Sequence, residues 1–85
     1  MLNYNRANLL KHLRRHEEAI AGYRRALDLR PDFPDAHVNL GNAWLELGKH
    51  QQAEREYQRA IDLDPDHKIA RENLRRVQDF LRSRP

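Results

Sequence analysis

The sequence predicts an all-α fold, a solenoid of stacked helical hairpins. Three observations carry that expectation. The chain matches itself when displaced by 34 residues. Its apolar positions recur with the 3.6-residue period of a helix, and no stretch alternates with the period of two that marks a half-buried strand. At the 34-residue displacement twelve pairs are identical: Asn5/Asn39, Asn8/Asn42, Leu13/Leu47, His16/His50, Ala19/Ala53, Tyr23/Tyr57, Arg25/Arg59, Ala26/Ala60, Asp28/Asp62, Leu29/Leu63, Pro31/Pro65 and Asp32/Asp66. The match resumes with Ala36/Ala70, Asn39/Asn73 and Leu40/Leu74. The chain therefore reads as two full units, residues 1–33 and 34–67, followed by a half unit, 68–83, within a single domain of residues 1–85.

In the first unit Leu2, Leu9, Leu10 and Leu13 form the stripe of one helix, and the chain turns over at about Arg14 to His16. Glu17 and Glu18 then open a second helix, where carboxylates suit the helix dipole. Its stripe is Ala19, Ile20, Tyr23, Ala26 and Leu27, and it stops at Arg30-Pro31 because the residue before a proline avoids helical angles. The second unit repeats this plan. Ala36, Leu40, Ala43, Trp44 and Leu47 make the first stripe, and Gly48 stands where a helix takes a left-handed terminator. Ala53, Tyr57, Ala60 and Ile61 make the second, closed by Asp64-Pro65. Asp32 and Asp66 each follow a proline and are expected to cap the next helix by accepting backbone N–H bonds. The last segment carries Ala70, Leu74, Val77 and Leu81 on one face. Ala7/Gly41, Ala19/Ala53 and Ala26/Ala60 sit where helices would approach closely, with Tyr23, Tyr57 and Trp44 filling the gaps. A lone hairpin cannot bury both faces, so the units must stack.

The ends of the stack differ. Arg75 and Gln78 occupy slots that hold Ala7/Gly41 and Leu10/Trp44 in the units before, which marks the last segment as a capping helix. Its outer face would carry Arg71, Glu72, Arg75, Arg76, Asp79 and Arg82 in water. Acids interrupt those arginines and no aromatic stacking platform accompanies them, so a nucleic-acid partner is not expected. The first helix has no such cap, and Leu2, Leu9 and Leu13 would stay partly uncovered. The expectation is a piece of a longer array, or a homo-oligomer formed through the N-terminal helix.

Composition removes whole classes of function. Sixteen Lys plus Arg against thirteen Asp plus Glu give only +3. The absence of cysteine excludes disulfide frameworks, thiolate metal sites and cysteine nucleophiles. No apolar run approaches the ~20 residues that span a bilayer, so no membrane association is expected. The residues from Met1 to Arg6 show no signal-peptide pattern, and a cytoplasmic location is expected. His12 and His16 are four apart, but the turn should break that spacing and no carboxylate pair completes a metal shell. Ser83 is the only serine, threonine is absent and no glycine-rich phosphate loop exists. No catalytic residues, metal or cofactor are expected, and the chain reads as a non-enzyme.

Leu40-Gly41, Trp44, Gly48, Ala53, Tyr57, Ala60 and Pro65 resemble the tetratricopeptide repeat pattern, and the resemblance covers nearly the whole chain. The first unit departs from it at Arg6, Leu10 and Arg14, which stand for Leu40, Trp44 and Gly48. The resemblance implies a right-handed α–α superhelix whose first helices line a concave groove that binds an extended peptide or protein partner. Asn5, Asn39 and Asn73 would then share one row, widened by Asn8 and Asn42, similar to the asparagine ladder of glycosyltransferase-type tetratricopeptide superhelices. An amide offers both a donor and an acceptor to a peptide backbone. Tyr4, Lys11, Val38, Leu45 and Ile69 complete the implied groove. Family members that bind acidic chaperone tails use a clamp of Lys, Asn, Asn, Lys and Arg. Here those positions hold Tyr4, Asn8, Asn39, Ile69 and Asn73, which keeps both asparagines and no cation. No strong preference for such tails is expected. The rival reading is a structural or designed module with no ligand, in which the asparagines knit adjacent helices or face water.

Overall fold

A computed structural model describes residues 2–83; Met1, Arg84 and Pro85, which the expected domain range includes, lie outside the described residues. The chain forms α1 (Leu2–His12), α2 (His16–Leu29), α3 (Pro34–Glu46), α4 (His50–Leu63) and α5 (Lys68–Arg82), with no strand among the described residues. Each helix packs on its neighbours in sequence, and α1 also touches α3. The result measures 39 × 27 × 17 Å. Its accessible surface of 5766 Å² exceeds the about 5,300 Å² expected of a compact fold of 10.2 kDa. An elongated stack has that consequence.

The two hairpins turn in the same way. Gly48 adopts φ +74° and Arg14 φ +62°. Lys49 N donates to Trp44 O (2.9 Å) and Gly48 N to Leu45 O (2.9 Å); Arg15 N donates to Leu10 O (2.9 Å) and Arg14 N to Lys11 O (3.0 Å). These paired bonds satisfy the carbonyls that a helix end leaves open. The second helices end alike, with Arg30 N bonded to Ala26 O and Asp64 N to Ala60 O just before Pro31 and Pro65.

The helix starts correct one expectation. Neither Asp32 nor Asp66 is a cap. Pro34 is the first helical residue of α3, so Phe33, kept out of helical angles at φ −122° and ψ 86°, is its N-cap and Asp32 falls a residue too early. At α5 the N-cap is His67, whose Nδ1 accepts from Ala70 N at 3.2 Å.

The core is two clusters joined through Trp44. Ala7, Ala19, Ile20, Tyr23, Leu40 and Ala43 form the first, with Tyr4, Leu10 and Leu47 against it. Val38, Ala53, Tyr57, Ala60, Ala70, Leu74 and Val77 form the second, with Leu45, Ile61 and Leu81. Tyr23 and Tyr57 are the largest fully buried side chains. On α1 the packing residues are Ala7, Tyr4 and Leu10, whereas Leu2, Leu9 and Leu13 remain 81%, 58% and 58% exposed. Those leucines sit 34 residues before Ala36, Ala43 and Leu47, on the face that α3 turns toward α2; no described helix covers that face of α1. At the other end, α5 buries Ala70, Leu74 and Val77 and exposes all six outer charged residues. The Phe80 ring stacks on His50 with centroids 3.9 Å apart. No helix of the described residues is long and apolar enough to cross a membrane.

Candidate functional site

The asparagines of α1, α3 and α5 form two equivalent triads with the buried tyrosines. In the first, the Tyr23 hydroxyl donates to Asn8 Oδ1, and Asn39 Nδ2 donates to the same oxygen at 3.1 Å. In the second, the Tyr57 hydroxyl donates to Asn42 Oδ1, and Asn73 Nδ2 donates to it at 3.3 Å. Every partner in one triad lies 34 residues from its counterpart in the other. Burial pushes both tyrosine hydroxyls well above the ordinary phenol range, so they remain donors at neutral pH. Each triad ties the second helix of a hairpin to its first helix and on to the first helix of the next unit.

The bonds run between the row of Asn5, Asn39 and Asn73 and the asparagines that widen it. Asn39 bonds to Asn8, not Asn5, and Asn73 bonds to Asn42. Asn5 is exposed, and its side chain bonds to no other described residue. Tyr4 contributes through its hydroxyl, which accepts from Asn39 Nδ2 at 2.8 Å, while its ring packs on Phe33 with centroids 4.6 Å apart. Ile69 is exposed, and Leu45 is half-buried beside Asn42. Val38 does not line the surface: at 4% exposure it is a core residue against α4 and α5, because its small branched side chain fills the gap where those helices meet α3.

Lys11 is half-buried at the end of α1. Its Nζ approaches Asn39 Oδ1 at 3.4 Å. Burial lowers its affinity for the proton, an effect that the charge of Glu46 partly opposes. With His12, Arg14, His16, Asn42, Leu45 and Glu46 it lines a depression of about 410 Å³. The sequence reading placed Lys11 on the groove but missed this depression, which gathers residues from the α1–α2 turn and α3. It also assigned Tyr23 and Tyr57 to gap filling alone; the recurrence of Asn8/Asn42 fifteen residues before each tyrosine was the available signal.

Two further polar contacts link helices. His37 Nδ1 lies 2.9 Å from Glu56 Oε1, and Arg59 Nη1 donates to Glu56 Oε2 at 2.8 Å. His67 Nε2 lies 2.7 Å from Asp35 Oδ1, joining the starts of α5 and α3. Since Nδ1 of His67 accepts from Ala70, Nε2 carries the proton that Asp35 receives. His12 ends α1 and His16 begins α2, so the two rings do not share a helix face. Among the described residues no three His, Cys, Asp or Glu side chains gather as a metal site.

The family model for the tetratricopeptide repeat matches residues 4–68. No curated protein matches the chain. Among solved structures, the chain is similar to the first TPR of Spaghetti (RPAP3) bound to the HSP90 peptide SRMEEVD. There the TM-score is 0.92 at 28% identity, covering 96% of this chain and 65% of that one. It is similar also to the second TPR of Spaghetti bound to the same peptide, with TM-score 0.90 at 25% identity over 93% of this chain and 73% of that one. The TPR domain of Sgt2 from Aspergillus fumigatus shares the fold, with TM-score 0.85 at 24% identity over 89% of this chain and 50% of that one. The chain thus spans less than two thirds of the first of these. On the residues matched and the helical hairpins they form, the chain belongs to the tetratricopeptide repeat family.

Proposed function

We propose that this chain is a non-catalytic interaction scaffold that holds an extended peptide along the face shared by α1, α3 and α5, within one cytoplasmic repeat domain. The peptide would run past Tyr4, Asn5, Asn8, Lys11, Asn39, Asn42, Leu45, Ile69 and Asn73. The supporting observation is the pair of triads. Tyr23 and Tyr57 hold Asn8 and Asn42 by their oxygens, which leaves the Nδ2 groups of both asparagines without a partner among the described residues. A fixed amide donor recurring at each unit suits a main-chain carbonyl of any sequence. Two similar structures, both of Spaghetti, carry a peptide. The mechanism is preorganisation: amides already ordered by the fold add little ordering cost on binding.

The rival, a module whose asparagines only knit helices, draws on Asn39. Its Nδ2 already serves Tyr4 and Asn8, and its Oδ1 faces Lys11. Titrating a pooled, end-capped heptapeptide library into labelled protein separates the readings. Shifts confined to the side-chain amides of α1, α3 and α5, with binding weakened in Asn5→Ala at unchanged melting temperature, support the groove. No shift at millimolar peptide would sink it. The exposed Leu2, Leu9 and Leu13 also leave self-association through α1 as a second reading, and sedimentation as a monomer at high micromolar concentration would count against it.

A further inference from the structure

We infer that Lys11 anchors a carboxylate subsite in that groove, so that the extended peptide taken by this chain is acidic where it passes the end of α1. The inference rests on the groove reading above and adds the chemistry of one position. Lys11 is three residues beyond Asn8 and seven beyond Tyr4, hence on the same helix face one turn further along. Its ammonium is half-buried yet has no carboxylate within 4.0 Å among the described residues; its one side-chain contact is the long approach to Asn39 Oδ1 at 3.4 Å. Glu46, the only acid among the described residues that line the depression, stands 3.8 Å from Arg14. Lys11 and Arg14 against Glu46 leave the depression one positive charge in excess, with His12 beside them.

A partly desolvated ammonium whose burial Glu46 offsets only in part, from beyond ion-pair distance, is unfavourable to the free protein. An arriving carboxylate relieves that, and its bond to the ammonium is charge-assisted. Asn42, whose Nδ2 has no partner among the described residues, lines the same depression and can donate to the second carboxylate oxygen. This differs from the implied chaperone-tail clamp, whose cation positions hold Tyr4, Ile69 and Asn73. The charge sits elsewhere, so the carboxylate it meets can be a side chain or a chain terminus.

Four synthetic peptides test this by calorimetric titration at low and high salt. They are SRMEEVD; its C-terminal amide with the aspartate replaced by asparagine; the free acid with both glutamates changed to glutamine and the aspartate to asparagine; and that last peptide amidated, which bears no carboxylate. The expected result is that SRMEEVD binds about tenfold tighter than the carboxylate-free peptide, and less so at high salt. Lys11→Met removes the difference between these two peptides, and Lys11→Arg retains it. Lys11→Met melts at or above the wild-type temperature, since it deletes a half-buried charge. The two intermediate peptides tell whether a side chain or the terminus supplies the carboxylate. Equal affinity for all four, or a preference that survives Lys11→Met, overturns the subsite and leaves the groove standing. Failure of every peptide to bind overturns the groove reading and this inference with it.

Discussion

Where α3 crosses α4, a Cβ on Gly41 would stand 2.7 Å from Tyr57 Cε1, so the glycine lets a buried ring lie against the helix backbone. Where α1 crosses α2, the small residue is on the other helix, and a Cβ on Gly22 would stand 2.9 Å from Ala7 Cβ. The second hairpin adds the buried His37–Glu56–Arg59 chain, at positions that hold Asn3, Gly22 and Arg25 in the first. Its turn residue is Gly48 where the first uses Arg14. Its His50 stacks on Phe80, whereas both ring nitrogens of His16 are buried without a hydrogen-bond partner among the described residues. One template is thus met twice with unequal means: the second hairpin fits it, and the first is held to it by its neighbours. The free-energy difference should lie in these few positions, because the tyrosine–asparagine triads are the same in both.

The crossing glycines test this most severely. Gly41→Ala drives a methyl into the fully buried ring of Tyr57, three of whose atoms lie within 3.0 Å. Overpacking of this kind costs about 2 kcal/mol even after the helix-propensity gain of alanine. Gly22→Ala should cost about half as much, roughly 1 kcal/mol, since it meets one methyl on the outermost helix, which can shift by a few tenths of an ångström. Urea unfolding of both variants measures the pair; a larger loss from Gly22→Ala would reverse the comparison.

Next in size is the buried chain. His37→Ala leaves Glu56, 7% exposed, with Arg59 as its one partner, and should cost about 1.5 kcal/mol at pH 7. Asn3→Ala, at the equivalent place in the first hairpin, should cost nearly nothing. The double variant His37→Ala/Glu56→Ala should regain part of the loss, because the unpaired carboxylate is then absent. Additive losses would show that the two residues act separately.

These differences also explain what the sequence could reveal. Identity at 34 residues marks equivalent positions, and equivalence was enough for the helices, the turns and the packing of Ala19/Ala53, Tyr23/Tyr57 and Ala26/Ala60. It does not give adjacency. Successive hairpins are displaced along one another, so the side chain of Asn39 meets Asn8, 31 residues away, and not Asn5, its equivalent at 34. Cap geometry was misread because the helix start is set by Pro34, and not by the residue type at Asp32. The family resemblance implies Val38 on the groove, and only the packing of α4 and α5 shows that it is enclosed. The Lys11 depression depends on the path of the α1–α2 turn, which no local pattern encodes.

That turn supplies the smallest effect and the sharpest contrast. A side chain at positive φ crowds its own backbone, at a cost of about 1 kcal/mol that glycine avoids. Arg14 carries this strain at φ +62°; Gly48 does not, and a Cβ there would meet nothing within 4 Å. Gly48→Ala should therefore lose about 1 kcal/mol for backbone reasons alone. Arg14→Gly should gain about 0.5 kcal/mol, since the relief is partly offset by the greater freedom of glycine in the unfolded chain. The exposed contact of Arg14 with Glu46 at 3.8 Å is too long and too solvated to change the sign. A gain of that size raises the melting temperature by about 2–4 °C in a domain this small. If Arg14→Gly instead lowers it, the guanidinium contributes more to the first hairpin than its backbone strain removes, and the inequality between the two hairpins does not originate in their turns.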